Sequence, residues 1–126
     1  MVIDTSIVIE HIRAENKETT TLFKLFNKFQ LFISSVTVYE LFIGANTKAK
    51  EFDVKLSISG IIVLPFTDAT SMIAAHIFHQ LKQHNQLIEF RAIFIAATCL
   101  ANELPIATLN QKHFKRIDGL SLFKGF

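Results

Sequence analysis

The chain has 126 residues and a net charge of +2; half of the residues are apolar and thirteen are phenylalanine. The length predicts one domain over residues 1–126. The single cysteine, Cys99, excludes a disulfide framework and a cysteine-based zinc site. No apolar run approaches the ~20 residues that span a bilayer, and the N-terminus lacks the basic region of a signal peptide. We therefore expect a cytoplasmic protein without a membrane segment.

Short apolar runs alternate with helical patterns from the first residues onward. Strands are expected at residues 2–3, 31–33, 61–64, 105–108 and 120–123. Helices are expected at residues 7–13, 19–30, 34–44, 47–57, 67–84, 88–103 and 110–116. This alternation predicts βαβ units, and hence an α/β fold with a mainly parallel sheet.

Two of these helices are expected to bury one apolar face. Phe52 and Leu56 lie one turn apart in the helix at 47–57, with lysines on the opposite side. In the helix at 67–84 the buried face is expected to carry Met72, Ile73, Ile77 and Leu81. The apolar fraction of the whole chain is high for so small a domain, which favours a partner or a second copy over part of the surface.

Asp4 falls where the first strand is expected to end, and the hydroxyl residues Thr5 and Ser6 follow it. In an open parallel α/β sheet, ligands collect at the carboxyl ends of the strands, so this carboxylate is well placed for chemistry. The alternative is that Asp4 caps the helix that follows. This stretch alone leaves both interpretations open.

Glu40 is a carboxylate within an otherwise apolar helical stretch. Helical spacing places it on the face of Val36 and Ile43, which normally points inward. A buried carboxylate costs several kcal/mol unless it is paired or bound to a metal. The alternative is a place at the rim of the helix, where the side chain reaches water.

Two further stretches carry polar residues next to apolar runs. Glu89 either faces the same cleft as Asp4 or is favoured at a helix start by the helix dipole. Arg91 either holds a phosphate or pairs with Glu40 or Glu89. Asn110, which follows Thr108 and the fourth strand, suits the cap of the next helix. The basic residues beyond it form either a solvated face or a contact for an RNA backbone: Lys112, His113, Lys115 and Arg116.

Several activities lack their motif in this sequence. There is no G-x-G-x-x-G and no Walker A lysine, so dinucleotide and P-loop chemistry lack a phosphate cradle. The G-x-S-x-G elbow of serine hydrolases is also absent. A phospho-acceptor role for Asp4, in a small α/β signalling domain, is weakened because Ser6 stands where a second Asp is expected.

Four motifs, in this order and spacing, make the chain resemble PIN-domain ribonucleases, specifically the VapC toxins of type II toxin–antitoxin modules. The motifs are V-I-D-T-S at 2–6, S-x-V-T-V-Y-E-L-x-x-G-A at 34–45, F-I-A-A-T at 94–98 and L-P-I-A-T-L-N-x-K-H-F at 104–114. The resemblance implies a three-layer α/β/α domain with a short parallel sheet and an acidic pocket at the strand ends.

The resemblance also implies a role for individual residues. Asp4 and Glu40 match the family's first two acids and are expected to bind Mg²⁺ or Mn²⁺, while Asn110 matches a position that carries Asp or Asn. Supporting polar or phosphate contacts are expected from Thr5, Ser6, Arg91 and Thr108. The implied partners are an RNA substrate, a VapB-type antitoxin and a second copy within a higher toxin–antitoxin assembly, with operator DNA reached only through the antitoxin.

One position departs from the family pattern. The family carries Asp two residues before the apolar residue that opens its I-A-A segment, and that position is Ala92 in this chain. Glu89 lies one helical turn away and is expected to supply part of the missing charge. We therefore expect a ribonuclease weakened or inactivated at this position. The alternative is a non-catalytic antitoxin-binding or repressor subunit on the same fold.

Overall fold

The computed structural model describes residues 1–125, and its central element is a four-stranded parallel sheet. The strands are β1 (Val2–Ile3), β2 (Phe32–Ser34), β3 (Ile62–Leu64) and β4 (Ile106–Ala107). Their spatial order is β3-β2-β1-β4, so β1 has a neighbour on both sides. Val2 is opposite Phe32 of β2 and Ile106 of β4.

Helices connect and follow these strands. They are α1 (Thr5–Arg13), α2 (Thr21–Phe26), α3 (Ser35–Ile43), α4 (Lys48–Ile58), α5 (Asp68–Gln83), α6 (Phe90–Ala101) and α7 (Gln111–Phe114). Four of them begin after a hydroxyl side chain that accepts a hydrogen bond from a backbone N–H of the first turn, as helix N-caps do. These caps are Thr20, Ser34, Thr47 and Thr67.

The pleat of the strands separates two apolar cores. Val2 and Ile106 point to one face of the sheet, where they pack with α5, α6 and α7. Ile3 and Ala107, the next residues, point to the other face, where they pack with α1, α2 and α4. Helices therefore cover both faces, and the predicted three-layer α/β/α architecture is confirmed.

The second helix and the last strand are shorter than the sequence suggests. The helix expected at 19–30 is the shorter α2, Thr21–Phe26. Thr20 caps its start, and at its end the Asn27 side chain donates a hydrogen bond to the Phe23 carbonyl at 3.0 Å. A 3₁₀ turn, Lys17–Thr19, precedes it. The strand expected at 120–123 is a single bridge from Leu122 to Ile106.

Two expected buried faces are wrong in part. Met72 is 73% exposed, and Phe52 and Leu56 are 64% and 65% exposed. The residues of α4 and α5 that do face the core are Val54, Thr70, Ala74, Ile77 and Leu81. At about 100° per residue, a position two residues from a buried one lies on the opposite side of the helix, which accounts for all three errors.

Cys99 lies in α6, which is largely buried as expected. Burial, with a smaller contribution from the negative charge of Asp4, raises the pKa of its thiol to about 12. This thiol is therefore unreactive at neutral pH.

Within residues 1–125, no helix has the length and apolar character needed to cross a bilayer.

Candidate functional site

Asp4 follows the central strand β1 directly, and its side chain is only 7% exposed. It occupies the N-cap position of α1, but its carboxylate makes no capping hydrogen bond. Instead, Oδ2 accepts hydrogen bonds from Thr108 Oγ1 at 2.7 Å and from Ser6 Oγ at 2.9 Å. The capping interpretation of Asp4 is therefore wrong, because its side chain turns to two hydroxyls at the strand ends.

Those two hydroxyls are themselves held by the backbone after β4. Ser6 Oγ accepts from the Leu109 N–H at 3.2 Å, and Thr108 Oγ1 accepts from the Asn110 N–H at 3.0 Å. Each hydroxyl thus has an acceptor role toward the backbone and a donor role toward Asp4. All the hydrogen bonds of this carboxylate within the described chain go to Oδ2, which leaves Oδ1 available for a ligand.

Glu40 comes from the middle of α3, and its side chain is 19% exposed. Its Oε1 accepts a hydrogen bond from Thr5 Oγ1 at 3.0 Å. Thr5 also lies 3.2 Å from the hydroxyl of Thr37, which is fully buried. Since Thr5 follows Asp4 directly, this contact brings the second carboxylate to the same edge of the sheet as the first.

The burial of Glu40 raises the pKa of its carboxyl group. The Thr5 hydrogen bond and the charge of Arg91 oppose this shift, while the negative charges of Asp4 and Glu89 add to it. The expectation that Glu40 shares an inward face with Ile43 is wrong, because Ile43 is 55% exposed. Glu40 instead lies at the boundary between core and solvent, as the alternative of a place at the rim of the helix predicts.

Glu89 and Arg91 lie at the start of α6, opposite Glu40. Arg91 Nε donates a short hydrogen bond to Glu89 Oε1 and lies 3.8 Å from Glu40 Oε2. Their side chains are 45% exposed for Arg91 and 54% for Glu89. Glu89 raises the pKa of the Arg91 guanidinium, which stays charged. Both predicted acid partners of Arg91 are therefore in place.

Ala92 is the next residue of α6 and is half-buried. Its N–H donates to the Glu89 carbonyl at 3.1 Å, and its side chain packs against the core formed by α5 and α6. The methyl group offers no ligand atom. The acidic cleft is therefore formed by the carboxylates of Asp4 after β1, Glu40 in α3 and Glu89 at the start of α6, and an apolar side chain follows Arg91.

Asn110 begins α7 without a capping hydrogen bond from its side chain, so the cap expected there is wrong. Its side chain is exposed, and only its backbone N–H contributes to the network, through Thr108. The neighbouring Leu109 is 47% exposed. Asn110 is thus at the rim of the site, joined to Asp4 by a single hydroxyl.

The oxygen atoms of this site are few for a divalent ion. Within residues 1–125, no three His, Cys, Asp or Glu side chains are grouped closely enough to hold an ion. Mg²⁺, however, usually keeps several waters and takes one or two carboxylates. Asp4 Oδ1 and Glu40 Oε2 are such a pair, so the residues present fit a weak, largely hydrated site.

Thr37 is the site residue that the sequence analysis missed. It contacts the Thr5 hydroxyl that binds Glu40, and it is fully buried on the face of α3 that carries Leu41. A threonine three residues before an acid in a helix shares its face only approximately. The three-residue spacing of Thr37 and Glu40 was the one sequence signal that could have indicated a role for Thr37 in the site. That spacing does not identify Thr5 as the residue that contacts both side chains.

Comparison with known proteins gives a consistent result. A family model for the PIN domain matches residues 1–120. Ribonuclease VapC3 of Methanocaldococcus jannaschii is 36% identical over 96 residues, which are 76% of this chain and 94% of that protein. Ribonuclease VapC1 of Rickettsia felis is 31% identical over 129 aligned positions, covering 97% of this chain and 93% of that protein.

Solved structures give the same fold. The crystal structure of VapBC2 from Rickettsia felis, bound to a DNA fragment from its promoter, matches with a TM-score of 0.84 at 23% identity and covers 97% of this chain and 96% of that chain. DNA-bound VapBC from Salmonella typhimurium matches with a TM-score of 0.82 at 25% identity, covering 97% and 95%.

Proposed function

The chain belongs to the PIN-domain family and its relatives are VapC ribonucleases, and from this premise we propose that it is the endoribonuclease toxin of a VapBC-type module, metal-dependent and weakened by Ala92. The observation that carries the proposal is the pairing of two carboxylates at the carboxyl edge of the sheet. Asp4 is fixed by Ser6 and Thr108, and Glu40 is fixed by Thr5.

Asp4 and Glu40 would hold Mg²⁺ or Mn²⁺, because both ions prefer oxygen ligands. When bound, the ion supplies Lewis acidity toward the scissile phosphate and toward the attacking water. Two negative charges near each other also need a cation to remain ionised together. Burial, and to a smaller extent the charges of Asp4 and Glu89, raise the pKa of Glu40, and a bound cation would lower it again.

The other side chains orient these acids and the RNA. Ser6 and Thr108 direct the free oxygen of Asp4 into the cleft, and Thr5 does the same for Glu40 Oε2. Glu89 contributes negative charge at the cleft. Arg91 and Asn110 would contact the RNA backbone, since a guanidinium and an amide both bind phosphate oxygens.

Ala92 accounts for the weakened activity that we propose. An Asp at this position would add a second acid to the start of α6, next to Arg91 and one turn from Glu89. Removing a ligand lowers the affinity for the ion and also relieves repulsion among the acids. We therefore expect the fold to be retained while cleavage is much slower, in agreement with a methyl group that packs against the core.

The test is RNA cleavage by Ala92→Asp with Mg²⁺ or Mn²⁺, beside the unsubstituted chain. We expect the substitution to raise the cleavage rate by about 100-fold, in the range that one acid–base or ligand group contributes. Ala92→Asn is the matched control, because it has the same size without the charge. The double variant Asp4→Asn with Ala92→Asp should lose the gain.

Two outcomes would contradict the proposal. Equal cleavage by Ala92→Asp, Ala92→Asn and the unsubstituted chain would show that position 92 does not limit the reaction. Cleavage that persists without divalent ions, or in the Asp4→Asn double variant, would show that the acidic cleft is not the centre of the reaction.

We propose a VapB-type antitoxin as the protein partner, because the matching structures are VapBC complexes. Exposed apolar residues on the helical side support this: Phe23, Phe26 and Leu56 line a cleft of about 330 Å³ between α1, α2 and α4. We further propose a homodimer within a larger toxin–antitoxin assembly in the cytoplasm, with operator DNA contacted only by the antitoxin; the DNA-bound VapBC structures that match this fold support the assembly.

A second candidate function is a non-catalytic subunit that binds the antitoxin and does no chemistry. It is favoured by the missing third ligand within residues 1–125 and by the ion pair that Arg91 makes with Glu40. Metal titration separates the two candidates. Failure to bind Mg²⁺ or Mn²⁺ even after Ala92→Asp would favour the binding subunit over the ribonuclease.

A further inference from the structure

Arg91 lies between two acids of the cleft. Its Nε is hydrogen-bonded to Glu89 Oε1 and lies 3.8 Å from Glu40 Oε2. The other oxygen of Glu40 is bonded to Thr5, so Oε2 is the atom that faces the cleft. The guanidinium is therefore within ion-pair distance of the same carboxylate oxygen that a divalent ion would need.

The positive charge at this place is permanent. Arginine does not lose its proton in proteins, and neighbouring Glu89 raises the pKa of Arg91 further. No other lysine or arginine within residues 1–125 makes an ion pair with Asp4, Glu40 or Glu89. The acids of the cleft thus have one internal counter-ion.

We propose that Arg91 and a divalent ion exclude each other at Glu40 Oε2, so that Arg91 acts as an internal competitor of the metal. This inference rests on the proposed function, since it assumes that Asp4 and Glu40 take up the ion. Both cations need the same oxygen, and two cations at contact distance repel each other.

The surroundings of Arg91 allow the exchange. Its side chain is 45% exposed, so the guanidinium moves into solvent without breaking a buried contact. An ion pair this exposed is weak, which makes it a competitor that metal displaces rather than a permanent block. Ala92 favours Arg91 in this competition. An acid at this position would attract the doubly charged metal ion more strongly than the singly charged guanidinium, and Ala92 provides no such attraction.

The experiment measures Mn²⁺ binding to the chelator-treated protein by the electron paramagnetic resonance signal of free Mn²⁺. We compare the unsubstituted chain with Arg91→Gln, Arg91→Lys and Lys112→Gln, the last being an exposed lysine of α7. Arg91→Gln should bind Mn²⁺ about fivefold tighter, as expected when a half-exposed ion pair is removed.

The two controls separate local competition from general charge. Arg91→Lys keeps the positive charge beside Glu40 and should bind within about twofold of the unsubstituted chain. Lys112→Gln removes one positive charge without touching the acids and should also stay within about twofold. Circular dichroism confirms that each variant is folded, and Arg91→Lys serves as the conservative variant.

The outcomes distinguish this inference from the proposed function. If the unsubstituted chain binds Mn²⁺ and Arg91→Gln binds equally or more weakly, the competition is overturned and the ribonuclease proposal stands. If Arg91→Gln binds more tightly while Ala92→Asp does not cleave RNA, the competition stands and the ribonuclease proposal fails. If no variant binds Mn²⁺, including Arg91→Gln with Ala92→Asp, both are overturned.

Discussion

The acidic cleft has two sides that are built differently. The strand side consists of Asp4, Ser6 and Thr108, where a nearly buried carboxylate is held by neutral hydroxyls that are anchored to the backbone. The helix side consists of Glu89, Arg91 and Ala92 at the start of α6, where two half-exposed charged side chains bind each other. One side is fixed by the sheet, and the other depends on exposed side chains.

The strand side therefore positions Asp4, whereas the helix side sets the charge of the cleft. On the strand side, each hydroxyl both donates to Asp4 and accepts from the chain after β4, so a change there disturbs the backbone as well as the acid. On the helix side, the contacts are weak and exposed, so a change alters the charge of the cleft and leaves the fold intact. The strand side should therefore be costly to alter, and the helix side should tune cation binding.

The largest effect is expected from Thr108→Val, which breaks the strand side. It removes a donor from the buried Asp4 Oδ2 and leaves the partly buried N–H of Asn110 without its acceptor. We expect a loss of about 1 to 3 kcal/mol in the free energy of unfolding, measured with urea. In the Ala92→Asp background, RNA cleavage should also fall by about 10- to 100-fold, as when a supporting contact of a metal ligand is lost.

Thr108→Ser is the control for this change, because it keeps the hydroxyl and loses only a methyl group. It should retain most of the cleavage. If Thr108→Val and Thr108→Ser have the same stability and the same rate, the hydroxyl does not position Asp4, and the contrast between the two sides of the cleft fails.

A smaller effect is expected from Glu40→Gln on the free energy of unfolding, measured as a function of pH. Because folding raises the pKa of Glu40 above its ordinary value of 4.5, its contribution to stability is fully present below pH 4.5 and is lost as pH rises through the raised pKa. The Gln variant has no such loss. At pH 7 it should be more stable than the unsubstituted chain by less than about 1 kcal/mol.

The difference should shrink as the pH falls below 4.5, and urea unfolding at several pH values measures it. Glu15→Gln, which replaces an exposed acid between α1 and the 3₁₀ turn, is the matched control and should change the free energy of unfolding by less than about 0.5 kcal/mol. A Glu40→Gln variant that is less stable than the unsubstituted chain at pH 7 would show that Arg91 and Thr5 outweigh the cost of burial.

The sequence predicted the first four strands and the order of the helices well, because short apolar runs and hydroxyl caps are local signals, but the fifth expected strand is a single bridge. It failed where apolar residues occur on both sides of a helix. Met72 and Phe52 are as apolar as their buried neighbours, and only the packing of α5 and α4 against the sheet decides which side faces inward. The end of α2 likewise depends on a side-chain bond of Asn27.

For the site, the sequence placed Asp4 and Glu40 but not the contacts that hold them. Thr108 is 104 positions from Asp4, and Thr5 is 35 positions from Glu40. Such pairs meet only after β1 and β4 are neighbours in the sheet and α3 has packed beside α1. The capping roles predicted for Asp4 and Asn110 were wrong because capping rules consider only neighbours along the chain.

The most direct test of the central claim, a cation site formed by Asp4 and Glu40 that is incomplete at position 92, is anomalous diffraction from Ala92→Asp crystals grown with Mn²⁺. We predict an anomalous peak in contact with Asp4 Oδ1, Glu40 and the new Asp. The unsubstituted chain should show a weaker peak at the same place. Mn²⁺ bound elsewhere in Ala92→Asp, or no peak at this edge of the sheet, would contradict the account.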